Sequence, residues 1–231
     1  MAREGVQVIY LIAGVNDLIK IALFDTIKSK KGISNEVKRQ REIIAYLASE
    51  HDPEARTRIA IAHALAKKFN TRWQNIYSSV FRDIDEILIP AEIVKEQGRL
   101  PPKRGPRALQ HEGVPYYALT QAGMLIAACL DELDSRIEVV KECIASIEQD
   151  ELREGMSLLL DIAPSLVLRL IKEYVSYYDL SVSMMIPITI DKVRNALAVS
   201  IRSELELLEA FMSLSKEEKG YLFNFLRILS Q

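Results

Sequence analysis

Four cations, Arg99, Lys103, Arg104 and Arg107, crowd into the stretch GRLPPKRGPRALQHEGVPYYALT, residues 98 to 120. A second polar set precedes it: Lys67 and Lys68, then Arg72, Gln74, Asn75, Ser78, Ser79 and Arg82. Guanidinium and ammonium groups gathered in this way neutralise anions, while amide and hydroxyl side chains beside them supply directional hydrogen bonds. The chemistry on offer is contact with an anionic partner.

Catalytic patterns do not compete with that reading. The chain carries no phosphate-binding glycine loop, nucleophile elbow, His-Glu-x-x-His helix or carboxylate pair beside a histidine. His51, His63 and His111 are scattered without ligand spacing, so neither a metal nor another cofactor is expected, and the chain reads as a non-enzyme. SYYDLSVSMM, residues 176 to 185, suits either a small-molecule pocket or ordinary core and boundary packing.

Charge is divided unevenly. Residues 1 to 111 hold 19 Lys and Arg against 13 Asp and Glu, a balance of +6; the remainder holds 11 against 19, or −8, giving the overall −2. The first part is suited to an anion and the second to some other task. With 231 residues, 49% of them hydrophobic and 27% charged, the chain can bury a core, and two modest domains are expected. The apolar run Val8 to Val15 is too short for a spanning helix. It also lacks a basic leading region and a clean cleavage site, so an intracellular, cytoplasmic protein is expected.

Elements that position the polar residues follow from apolar spacing. Residues 6 to 28 read as a helix with Val8, Ile12, Val15, Ile19 and Leu23 on one face, and KSKKGIS connects it to a helix over 35 to 49. Asp52 as N-cap and Pro53 at the first helical position predict a short helix from there to Asn70. Trp73, Ile76, Tyr77, Val80, Phe81, Ile84, Ile87 and Leu88 then mark a strongly amphipathic helix limited by Pro90. At about 100° per residue its opposite face carries Asn75, Ser78, Ser79 and Arg82, flanked by Arg72 and Gln74. IPAEIVKEQG and VPYYALT predict two strands joined by the basic loop.

The second half reads as helical throughout. Thr120 is a suitable N-cap, and Ile126, Leu130, Leu133, Ile137, Val140, Ile144 and Ile147 are spaced 4-3-4-3-4-3, a heptad seam that predicts either a dimer interface or a bundled helix within one chain. Cys129 and Cys143 on one such helix would lie about 21 Å apart, too far to bond. Further stripes run from Val167 to Tyr178 and from Val193 to Met212, and Ser215 with Glu218 has capping-box spacing.

Helix, short helix, turn, apolar-faced helix, strand, basic loop, strand and helix, in that order, resemble a winged helix-turn-helix domain. IAHALAKKFNTRWQNIYSSVFRDIDEIL carries the helix pair, and YYALTQAG the strand and helix start after the wing. The wing is longer than the usual one. PKRGPR also resembles the arginine–glycine core of minor-groove hooks, in a different residue order. The resemblance implies a mainly α fold: an N-terminal helix and connector at 1–34, a winged domain with a two-stranded wing at 35–122, and a helical dimerisation or effector domain at 123–231.

It further implies that the second helix of the pair enters the major groove of double-stranded DNA. Asn75, Ser78, Ser79 and Arg82 would then face base edges, where arginine matches guanine and an amide matches adenine. Lys67, Lys68, Arg72 and Gln74 would meet phosphates, and Arg99, Lys103, Arg104 and Arg107 the backbone or minor groove. The expectation is a homodimeric, sequence-specific transcription regulator reading two half-sites about one DNA turn apart. Winged helices also dock proteins, so an interaction subunit of a larger complex, with the acidic half as its surface, is the alternative.

Overall fold

The computed structural model describes residues 35–101, 113–178 and 182–229. The helix expected at 6 to 28 lies outside the described residues, as do Lys103, Arg104 and Arg107. The described chain is mainly helical with one small antiparallel sheet.

Helix α1 spans Asn35–Ser49 and buries Ile43, Ile44 and Leu47, an inward face close to the one the spacing predicts. The next helix, α2 (Arg58–Lys68), starts later than expected. Thr57, not Asp52, caps it: the Thr57 hydroxyl accepts from the Ala60 N–H at 3.3 Å. Asp52 instead closes a turn, its carboxylate accepting from the Glu54 N–H at 3.0 Å. The reason is tertiary. Thr57 has extended backbone and bridges Tyr116, while the Tyr117 N–H donates to the Arg56 carbonyl at 3.1 Å, so a strand-like residue separates the turn from the helix.

Asn70, at φ 50, turns the chain into α3 (Trp73–Arg82). α3 passes directly into a π-helical segment, Asp83–Leu88. The combined helix presents Val80, Ile84 and Leu88, all fully buried, to α1 and α2, which is the face that apolar spacing predicts. Its closing turn places Glu92 at φ 58, so the first five residues of IPAEIVKEQG finish the helix instead of beginning a strand.

Strand β1 (Val94–Leu100) pairs antiparallel with β2 (Val114–Leu119). Val94 lies opposite Leu119 and Leu100 opposite Val114, with Gln97 bulging between Glu96 and Gly98. Tyr117 is the fully buried anchor of β2. Helix α4 (Gln121–Ala128) follows, with the Thr120 hydroxyl accepting from the Gly123 N–H at 3.0 Å as expected of a cap. The Thr120 N–H also donates to the Ile93 carbonyl at 3.0 Å. A Cβ on Gly123 would sit 2.1 Å from that same carbonyl oxygen, so the Thr-Gln-Ala-Gly sequence is what lets α4 start flush against the end of the preceding helix.

The seam does not form one helix. α4 ends at Cys129, and α5 (Arg136–Ala145) begins only after a turn in which Asp131 pairs with Arg136 at 3.2 Å. Asp131, Asp134 and Ser135 are residue types that favour turns over helix interiors, and the chain folds back so that α5 packs on α4. The heptad spacing survives because Leu130 and Leu133 point inward from the turn itself. The separation of about 21 Å for the cysteines belonged to a continuous helix; here both thiols are buried in one core, and Cys143 lies close enough to feel Cys129 electrostatically.

Helices α6 (Asp150–Ile162) and α7 (Pro164–Tyr177) are packed neighbours, followed by a 3₁₀ turn (Val182–Met185). Met185 is fully buried, and its carbonyl accepts from the Tyr174 hydroxyl at 2.7 Å. The two side chains thus take part in packing. Helix α8 (Ile190–Ser213) lies along α7, and α9 (Lys216–Leu229) closes the described chain, entered by the Ser215–Glu218 capping box. One buried cluster runs from Ile43 to Leu197, and α4 ties its two ends by touching α1 and β2 on one side and α5 and α7 on the other. The 122/123 boundary therefore falls inside a packed helix.

Candidate nucleic-acid interface

The polar face of α3 is held outward by the burial of its opposite side. Gln74, Asn75 and Ser78 are exposed; Ser79 is half-buried. Arg72 is exposed at the N-cap, where its carbonyl accepts from the Asn75 N–H at 3.0 Å. Exposed Lys67 closes α2 just before it. These residues form one continuous polar strip across the α2–α3 turn.

Other expected contacts already have partners. Lys68 pairs with Glu42 at 2.6 Å, Arg82 with Glu36 at 3.3 Å, and Arg99 with Glu96 at 2.7 Å. All three cations are at least 40% exposed, so each pair is worth about 1 kcal/mol or less and can exchange for another anion. The geometry leaves Lys67 and Arg72 without a charge partner among the described residues. Lys38 on α1 and Lys95 on β1 are exposed cations that the apolar pattern did not single out.

Next to α3 lies a stack that spacing alone could not reveal. The Arg58 guanidinium sits 4.4 Å from the Phe81 ring centre and 5.0 Å from that of Tyr117, and bonds Asp85 at 2.5 Å. It joins α2, α3 and β2 through partners distant in sequence. Burial pushes the Tyr117 phenol up to about 12, with Asp85 and Glu96 adding to the shift and Arg58 opposing it. Arg39 bonds the fully buried Asp83 through Nε and Nη2, the latter at 3.1 Å, and Gln40 reaches the same carboxylate at 3.4 Å. This network locks α1 to the end of α3 and fixes the angle at which α3 is presented.

The seven seam residues are placed elsewhere. Ile126, Leu130, Leu133, Val140, Ile144 and Ile147 are buried within one chain, and Ile137 packs half-buried against the same cluster. Their apolar surface is already consumed, so the dimer interface expected on them is withdrawn in favour of the intrachain alternative.

Scans of family models, of curated proteins and of solved structures return no match for this chain. Among the described residues, no helix is long and apolar enough to cross a membrane.

Proposed function

We propose that residues 35 to 122 act as a winged helix-turn-helix that binds double-stranded DNA through α3, and that the chain is a dimeric, sequence-specific transcription regulator. The observation that carries this reading is the outward polar strip of Lys67 at the end of α2 with Arg72, Gln74, Asn75 and Ser78 at α3, whose opposite side buries Val80 and continues into the buried Ile84 and Leu88. The order α1, extended Thr57, α2, α3, β1, β2 supports it, since Thr57 adds a strand-like residue to the edge of the hairpin. In this reading α3 lies in the major groove, with Asn75, Ser78 and Arg82 toward base edges and Lys67 and Arg72 toward phosphates. Duplex phosphates would displace Glu36, Glu42 and Glu96 from their cations.

A second reading is a protein-docking winged helix. It is favoured by those same internal pairs, which blunt the positive field, and by the exposed Ile59, Phe81 and Val114. Affinity for a mixed-sequence duplex at several salt concentrations separates the two. DNA binding requires a linear fall of log K with log salt, at about 0.9 per neutralised phosphate, and a weakened complex for the Asn75→Ala, Ser78→Ala, Arg82→Ala triple variant. Absence of binding at low salt would leave the docking reading.

A further inference from the structure

The apolar stripe of α8 has two unequal halves. Leu197, near its start, is buried at 4% exposure against α7. Continuing at helical spacing, Ile201, Leu205, Leu208 and Met212 lie on the same side, yet Leu205, Leu208 and Met212 are 53%, 59% and 77% exposed. Side chains of α8 bond the body at Ser200, to Glu173 at 2.6 Å, and at Glu204, to Arg169. Past them, residues 205–210 are all exposed. Helix α9 has no buried residue, and its own stripe of Phe225, Leu226 and Leu229 is about half exposed or more. It is attached to α8 by an edge contact of Phe223 with Phe211, 5.2 Å between ring centres, and by the Lys219 ammonium donating to the Met212 carbonyl at 3.2 Å.

We infer that this C-terminal arm, the end of α8 together with α9, is where a second copy of the chain docks about a twofold axis. The seven side chains of the two stripes offer roughly 100 Å² each, on the order of 700 Å² together. That exceeds the ~300–600 Å² patch a monomer usually shows and approaches the ~800 Å² per partner of a stable interface. The stripe is self-complementary when α8 pairs antiparallel: Ile201 meets the partner's Met212, and Leu205 meets the partner's Leu208, in alternating 4-3-4 steps.

Charge agrees with that pairing. Arg202 and Glu209 lie on the same flank of the stripe, both exposed and without a partner among the described residues. Antiparallel pairing brings each within a helical turn of its opposite on the other chain, twice by symmetry. A parallel pairing would put the flank carrying Arg202 and Glu209 on opposite sides of the seam in the two chains, so neither charge would meet its opposite. The inference deepens the dimeric part of the proposed function and owes nothing to its DNA part.

Sedimentation equilibrium of the full chain without DNA tests it independently of the duplex titration. The expected mass is twice 26.2 kDa. Leu205→Glu with Leu208→Glu should return the chain to one copy at unchanged helical circular dichroism. Arg202→Glu alone should weaken association about tenfold, and adding Glu209→Arg should restore it, a rescue that general misfolding cannot produce. A monomeric wild-type chain would overturn the inference. So would a dimer indifferent to these substitutions, or amide protection of α8 and α9 in a monomer, which would assign the arm to residues 1–34.

Discussion

The α1–α3 region and the C-terminal arm both contain amphipathic helices, and they use them oppositely. In the first, every fully apolar stripe is consumed: Ile43 and Leu47 of α1, Ile61 of α2 and Ile84 of the long helix are each at most 1% exposed. What remains outside is mostly polar, broken by the scattered Ile59, Phe69 and Phe81, so its free surface suits water or a charged partner. In the arm, the stripe that begins buried at Leu197 ends in solvent at Met212. The comparison teaches that amphipathicity measures the demand for a partner, while only the packing says whether the chain supplies one.

The sharpest way to test that contrast is to remove one charge from each region. Asp83→Ala strips the partner from the partly buried Arg39 and should cost about 3–5 kcal/mol of unfolding free energy. Arg202→Ala on the exposed arm should cost less than about 0.5 kcal/mol when measured in urea at concentrations where the chain is monomeric. Equal losses would erase the distinction between the two regions.

A smaller effect is expected where the two halves of the chain meet. Gly123→Ala drives a methyl group against the Ile93 carbonyl and should destabilise by about 1–3 kcal/mol, as overpacking does, despite the better helix propensity of alanine. A denaturation midpoint at or above that of the wild type would show that α4 can slide off the end of the long helix.

An effect seen only at alkaline pH concerns the thiols under α4 and α5. Burial pushes Cys129 and Cys143 each from 9.0 up to about 12. A group whose pKa is raised on folding stabilises fully below its unfolded value and loses that contribution as pH rises toward the folded one. Stability should therefore begin to fall near pH 9, by about 1–2 kcal/mol at pH 9.5 for the pair. Both thiols should resist a disulfide reagent in the native chain and react on unfolding. Rapid native labelling, or an alkaline limb unchanged in the Cys129→Ser, Cys143→Ser variant, would place them at the surface.

Local pattern was enough for much of the fold. The amphipathic helix from Trp73, the strand VPYYAL, the Thr120 cap and the Ser215–Glu218 box are all set by residues within one or two turns of one another, and they form as that spacing requires. The outward placement of Gln74, Asn75 and Ser78 follows from the same period. Arg39–Asp83 and Arg58–Asp85 have no local signal, because their members are 44 and 27 residues apart. Thr57 took the capping role from Asp52 because its strand neighbour Tyr116, 59 residues away, needed its backbone extended.

By itself, then, the sequence determined which side chains share a face, where caps fall and how charge divides along the chain, since these depend on neighbours a few residues apart. Tertiary structure alone decided what covers each face. It turned an unbroken 4-3 repeat into two folded-back helices with their seam inside one chain, and it left an equally regular repeat at the end of α8 in solvent. The spacing is alike in both because helical period carries no information about the partner, which only the packing of distant segments provides.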